Sequence, residues 1–227
     1  MSGAGAGDAP GEAALRAALV EAARALDAEG HVPAKSGNLS ARLPGREGAL
    51  GGFLVTPAAL PYAAMAPGDI ARVASDGAAT GPRPPSSEWR LHAAILAARP
   101  EAGAVVHTHA PRATALSCAR ADLPPVHYAL SLVGGDGSVR CAAYAAFGTE
   151  ALARAAVAAL AGGRRAALLA NHGLVALGGT LAEAAALARV VEAACGYHLD
   201  LLAAGLRAAP LRPEEVAAEA AAFARRG

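Results

Sequence analysis

The sequence predicts a single α/β domain in which a central sheet is covered by helices. Apolar runs of strand length alternate with stretches of helical spacing along the whole chain. No internal repeat of roughly 20–50 residues is present, and no shift in composition marks a linker. At 227 residues the chain is long enough to bury one sizeable core without disulfide or metal staples.

The elements follow in order. Met1 to Gly11 is small and polar and is expected to be disordered, which leaves Glu12 to Gly227 as the domain. That start lacks the basic residues and apolar stretch of a signal peptide, so export is not expected. From Glu12 to Glu29, the residues Leu15, Leu19, Ala22 and Leu26 form one helical stripe that stops at Gly30. Pro33 to Arg42 reads as a loop. Gly51 to Pro57 encloses Phe53-Leu54-Val55 between glycines and a proline, as a buried strand would be. Ile70 to Ala74 followed by Asp76-Gly77 reads as a strand entering a hairpin, because Asp-Gly tolerates the positive φ of such turns.

A helix is predicted to begin at Ser86-Ser87 and to run to Pro100, with Trp89, His92, Ala93, Leu96 and Ala97 at helical spacing. Ala102 to His109 reads as a strand and Pro111 to Cys118 as a short helix. Val126 to Val133 and Val139 to Tyr144 are apolar runs separated by Gly134-Gly135-Asp136-Gly137. A helix then runs from Gly148 to Leu160, Ala166 to Ala170 is a strand, and Gly173 to Leu177 continues its apolar character after one polar break. Thr180 caps a long helix to Leu202, with Glu183 three residues on completing a capping box. A last helix follows Pro213.

Composition excludes several classes of function. The hydrophobic share of 54% rests on methyl groups, since 67 residues are alanine. Lys and Arg number 20 against 19 Asp and Glu, with no block of like charges, so no nucleic-acid partner is indicated. Every apolar run is interrupted by Arg, Glu, His or Gly before the roughly 18 residues a membrane span needs. Cys118, Cys141 and Cys195 are odd in number and far apart, which argues against a disulfide framework or a cysteine zinc site and makes a reducing cytoplasm the expected home. No G-x-S-x-G elbow, Walker-type loop or G-x-G-x-x-G after a strand is present, so serine hydrolases, P-loop enzymes and dinucleotide binders lose support.

The sharpest chemical feature is Val105-Val106-His107-Thr108-His109. Alternation along a strand puts both imidazoles on one face, where they can reach one ion. Taken alone, such a pair is more often two hydrogen-bonded histidines at a strand end. Leu168-Leu169-Ala170-Asn171-His172-Gly173 changes the balance, because a second apolar run also ends in a histidine. Three histidines at the ends of two buried strands can form a metal site with coordination positions left open for a substrate. His92 is a possible fourth ligand, although a packed helical histidine is the plainer reading; His31, His127 and His198 are read in the same plain way. Ser86-Ser87-Glu88 is either an ordinary helix start or an anion pocket beside a proton-shuttling carboxylate. Lys35 with Ser36-Gly37-Asn38-Leu39-Ser40 is either a turn or a second wall of that pocket.

Five motifs in sequence order resemble the class II aldolase/adducin family, and within it the bacterial sugar-phosphate aldolases. They are Ser36-Gly37-Asn38-Leu39-Ser40, Val55-Thr56-Pro57, Pro85-Ser86-Ser87-Glu88-Trp89-Arg90, His107-Thr108-His109 and Asn171-His172-Gly173. The match spans residues 12 to 205 and includes His127-Tyr128 and Phe147-Gly148-Thr149. The resemblance implies a three-layer α/β/α sandwich with a central, mostly antiparallel sheet of nine-stranded type. It also implies a four-fold symmetric homotetramer with active sites between neighbouring subunits. The implied activity is zinc-dependent cleavage of a small ketose 1-phosphate to dihydroxyacetone phosphate and an aldehyde through an enediolate, with manganese or cobalt as possible substitutes for zinc.

Carried over residue by residue, the resemblance makes His107, His109 and His172 metal ligands and Glu88 the acid/base. Tyr128 becomes the residue that enters a neighbouring subunit's site to handle the aldehyde oxygen, and Gly37, Asn38, Ser86 and Ser87 become phosphate-binding positions. Related readings are a sugar-phosphate 4-epimerase, a 3-oxo-acid phosphate decarboxylase or, from another class, a non-catalytic adducin-like interaction domain. Two departures from the family stand out. Ala58-Ala59 follows Thr56-Pro57 where a hydroxyl residue and a glycine are usual, and the lone lysine, Lys35, stands where threonine is common and is read as the replacement phosphate donor. The C-terminal segment Phe223 to Gly227 also lacks the tyrosine found in the tails of those aldolases.

Overall fold

The computed structural model describes residues 11–45 and 50–225. The expected disorder of the first ten residues therefore lies outside the described residues. Helix α1 (Glu12–Ala28) follows the predicted stripe, burying Leu19, Val20, Ala23 and Leu26. The next stretch departs from expectation. Pro33 to Arg42 is not a loop: after one short 3-10 turn at Pro33–Lys35, the chain enters strand β1 (Asn38–Pro44), which is buried for most of its length. Its polar residues hid it, and tertiary partners described below satisfy them.

Strands β2 (Leu50–Val55), β3 (Ala71–Val73) and β4 (Ala79–Thr80) complete an antiparallel unit with β1, the β3–β4 turn closing at Asp76-Gly77 as predicted. Helix α2 (Trp89–Ala98) starts three residues later than the serines suggested. Strand β5 (Ala104–Thr108), helix α3 (Pro111–Cys118), strand β6 (Arg140–Ala142) and helix α4 (Glu150–Ala159) follow. Of the two apolar runs around residue 135, the first is a 3-10 helix (Tyr128–Val133) and the second holds β6. Strands β7 (Ala166–Leu169) and β8 (Gly173–Gly178) form a hairpin, and α5 (Leu181–Ala203) and α6 (Pro213–Ala224) complete the order. The Thr180–Glu183 cap forms as read, Thr180 Oγ1 accepting from the Glu183 amide at 3.2 Å.

The sheet has the order β4-β3-β2-β1-β5-β8-β7-β6. It is antiparallel apart from the β6–β7 pair and eight-stranded among the described residues, not nine. Alternate residues feed two cores. Leu39, Val106, Leu174 and Ala176 pack with α1, α3 and α5 on one face. Val55, Val105, Val175 and Leu177 pack with α2 and α4 on the other, which gives three layers. Arg42, on β1, caps the end of α2 by donating to the carbonyls of Leu96, Arg99 and Ala102. A cation at helical C-terminal carbonyls is favourable, and here it locks α2 to the sheet. That lock sets where the other end of α2, with Glu88, meets the strand ends. No helix among the described residues is long and apolar enough to cross a membrane.

Candidate active site

The end of β5 pairs with the start of β1, Asn38 facing His107 in register. The β7–β8 turn reaches the same edge, because Leu174 lies opposite Thr108. Three predicted histidines therefore meet there. His107 is wholly buried, and its Nδ1 lies 2.8 Å from the Leu174 carbonyl. A carbonyl only accepts, so Nδ1 carries a hydrogen, and Nε2 is the ring nitrogen left to face the cluster. That Nε2 lies 3.1 Å from His109 Nε2. The rings of His107, His109 and His172 stand edge to face with centroids 4.8–4.9 Å apart.

Close backbone approach makes this convergence possible. A Cβ at Gly37 would lie 2.6 Å from the His107 carbonyl, and one at Gly173 would lie 2.4 Å from the Thr108 carbonyl. Asn171, at φ 55°, turns the hairpin so that the His172 amide donates to Leu169 O at 3.0 Å and to Ser117 Oγ at 3.3 Å. Asparagine tolerates this left-handed conformation better than most residues.

Glu88 joins the histidines. Its Oε2 is 3.2 Å from His107 Nε2 and its Oε1 is 3.3 Å from His172 Nε2. One donor atom from each of Glu88, His107, His109 and His172 lies within 4.8 Å of the others. Glu88 Oε1 is buried without a hydrogen-bond donor among the described residues. Converging imidazole lone pairs beside an under-satisfied carboxylate form a donor set that a divalent cation completes. Burial opposes charge on Glu88, but His107, Asn38 and His172 outweigh it and hold the carboxyl well below the usual carboxylate range. Burial, reinforced by charge on His107, lowers His109 to about 3 and His172 to about 4, leaving their rings neutral at physiological pH.

Of the two sequence readings of His92, a fourth ligand or a packed helical histidine, the structure agrees with the second, and Glu88 rather than His92 lies within reach of the three histidines. His92 is instead committed to Ser40 Oγ at 2.7 Å and Asn38 Oδ1 at 2.5 Å. Gly37, Asn38, Ser86 and Ser87, the positions that the resemblance assigns to phosphate, line the cleft above the cluster. Ser86 takes its place by donating its amide to Thr56 O at 3.1 Å, while its hydroxyl accepts from the Glu88 amide at 3.3 Å. Asn38 Nδ2 donates to Glu88 Oε2 at 3.0 Å, so this residue serves the carboxylate as well as the wall. Ala58 and Ala59 also line the wall, but the Ala58 amide is spent on Pro84 O at 3.1 Å. The Lys35 side chain lies outside the described part of the structure. Tyr128 is half exposed, stacks on Phe223 and does not line the cleft of its own chain.

Residues 17–199 match the family model described as Class II Aldolase and Adducin N-terminal domain. The chain belongs to the class II aldolase and adducin family. It is 48% identical to the 5-methylthioribulose-1-phosphate/5-deoxyribulose-1-phosphate aldolase of Rhodospirillum rubrum, over 79% of this chain and 77% of that one. It is 39% identical to the L-fuculose phosphate aldolase of Escherichia coli K12, over 73% and 76%. Among solved structures, an L-fuculose 1-phosphate aldolase superposes with a TM-score of 0.86 at 31% identity, covering 97% of this chain and 100% of that one. As a class II aldolase the protein is a carbon–carbon lyase, and its Glu/His cluster is suited to the divalent metal on which class II aldolases depend.

Two features of this aldolase cleft were given no role from the sequence, although Phe147 lies within a matched motif. Tyr144 and Phe147 line it and are 60% and 71% exposed, forming an apolar rim. With only four tyrosines and three phenylalanines in the chain, two aromatics three residues apart in an alanine stretch were the available signal. Tyr62, buried beneath the cleft, donates its hydroxyl to the Gly37 carbonyl at 2.7 Å and so holds the wall in place. Nothing local marks that contact.

Proposed function

We propose that the protein cleaves a ketose 1-phosphate to dihydroxyacetone phosphate and an aldehyde. The observation that carries this reading is the convergence of His107, His109, His172 and Glu88 on the floor of a cleft walled by Gly37, Asn38, Ser86 and Ser87. His107, His109 and His172 would hold the ion, with zinc the first choice for three imidazoles and manganese or cobalt as alternatives. Such an ion supplies Lewis-acid polarisation of a carbonyl and stabilises developing negative charge on oxygen.

The remaining steps belong to the side chains. Ser86, Ser87, Gly37 and Asn38 seat the phosphate and orient the ketose, and Lys35 adds a positive charge in place of the donors missing at Ala58-Ala59. Tyr128 of a neighbouring subunit takes the proton from the hydroxyl at carbon 4 as the bond between carbons 3 and 4 breaks. Glu88, ionised at rest, picks up a proton from solvent and delivers it to carbon 3 of the enediolate, while the proton that Tyr128 accepted returns to solvent. In the condensation direction the ionised Glu88 removes that same proton, which suits a carboxyl held well below its usual range. A role for Tyr128 in another chain's site requires an oligomer; we propose a homotetramer with active sites between subunits, and we place the enzyme in the cytoplasm.

The two substrates in the name of the Rhodospirillum rubrum relative lack a hydroxyl at carbon 5. The apolar rim of Tyr144 and Phe147 supports the same preference here. A panel of ketose 1-phosphates with and without chelator tests the proposal. Dihydroxyacetone phosphate and an aldehyde, formed fastest from a 5-deoxy substrate and lost on chelation, is the expected result. An epimer, carbon dioxide or no product would refute the reading in favour of a 4-epimerase, a decarboxylase or an adducin-like interaction domain respectively.

A further inference from the structure

We propose that His92 is a positioning residue for Glu88, acting through the side-chain amide of Asn38. The proposal rests on the aldolase reading for its catalytic consequence and on hydrogen-bond geometry for everything else. His92 is 0% exposed and lies on the inner face of α2 beside Leu91, Ile95 and Leu96, where a hydrocarbon would serve packing alone. Instead it carries two ring nitrogens that burial obliges to find partners.

The direction of every hydrogen bond follows from one fact: an ionised carboxylate only accepts. Asn38 must therefore turn Nδ2 toward Glu88 Oε2, at 3.0 Å. That turns Asn38 Oδ1 toward His92 Nε2, at 2.5 Å, so Nε2 must carry the ring hydrogen. The Nδ1 lone pair is then the acceptor for the Ser40 hydroxyl at 2.7 Å. Ser40, His92 and Asn38 thus form a one-way chain of donors ending on the carboxylate. Without the Nε2–H, the Asn38 amide is free to rotate and to set its oxygen against Glu88. Ser40 and Asn38 lie on β1 and His92 lies on α2, so the chain ties the sheet to the helix that carries Glu88. It also explains why β1 tolerates buried polar residues.

His92→Phe keeps a ring without an N–H, and His92→Gln offers an amide N–H to the same partner. Loss of such an outer hydrogen-bond partner typically lowers activity about 10- to 100-fold. We expect a fall of that size in kcat for His92→Phe, with bound metal and melting temperature near those of the wild type, and recovery of most of the loss in His92→Gln. In an Asn38→Ala background His92→Phe should cost nothing further, because the two act in series. Losses that add, or a loss that tracks bound metal, would overturn the proposal. A second measurement needs neither turnover nor a variant. In nitrogen-15-labelled wild type, His92 should show the Nε2–H tautomer, whereas the Nδ1–H tautomer would also overturn it. Absence of retro-aldol turnover in the wild type would refute the proposed function and leave the tautomer to decide the relay.

Discussion

Ala59 offers a direct test of how the cleft wall is built. Its backbone has φ 57°, in the left-handed region, and it lines the cleft where glycine is usual in the family. An L-residue with a Cβ pays about 1–2 kcal/mol for that conformation. Replacing it by glycine removes this strain but raises the entropy of the unfolded chain, which costs about 0.4–1 kcal/mol. The difference leaves Ala59→Gly more stable by about 0.5–1 kcal/mol. For a chain of this size each kcal/mol corresponds to about 2–4 °C, so the melting temperature should rise by about 1–4 °C. Calorimetry on metal-free wild type and variant at one protein concentration measures this without interference from ion binding. An unchanged or lower melting temperature would refute the strain argument and show that the Ala59 methyl makes compensating contacts.

Further outcomes follow from the same geometry. His172→Ala removes one of three converging imidazoles, and bound divalent metal measured by emission spectroscopy after dialysis should fall by at least 10-fold, as ligand loss exceeds the outer-partner effect of about 10- to 100-fold at its low end; wild-type metal content in the variant would exclude His172 as a ligand. In metal-free protein, His109 and His172 titrate far below the ordinary histidine value of 6.5, and Glu88 also lies below its ordinary value. The unfolded chain then takes up protons that the folded site refuses, so stability must fall as pH drops from about 6.5 toward about 3; a urea midpoint constant between pH 7 and pH 4 would contradict this. Lys35→Met removes a charge assigned to phosphate, worth about 1.5 kcal/mol or more, so KM for a phosphorylated ketose should rise about tenfold or more. An unchanged KM excludes that role. Lys35→Ala should still turn over, because no imine is needed, and borohydride trapping of substrate on Lys35 would show otherwise.

What the sequence by itself determined was the set of local features. The helical stripe of α1, the Thr180–Glu183 cap and the Asp76-Gly77 turn each depend on neighbours a few residues away, and all three formed as read. The shared face of His107 and His109 followed from strand alternation for the same reason. A second apolar run ending in a histidine added His172 to the pair, and the resemblance tied Glu88 to all three, since ordered motifs across distant segments link residue 88 to residues 107 and 172.

Tertiary structure alone decided where polar residues could be buried. Asn38 and Ser40 read as a turn because their side chains compete with backbone hydrogen bonding. They became central strand because His92 and Glu88, some fifty residues on, supply the missing partners. The same long-range bonding withdrew His92 from the possible ligands and brought Glu88 against the histidines. A hydrogen-bonding side chain is indifferent to sequence separation, so its partner becomes visible only once the sheet and α2 are packed together.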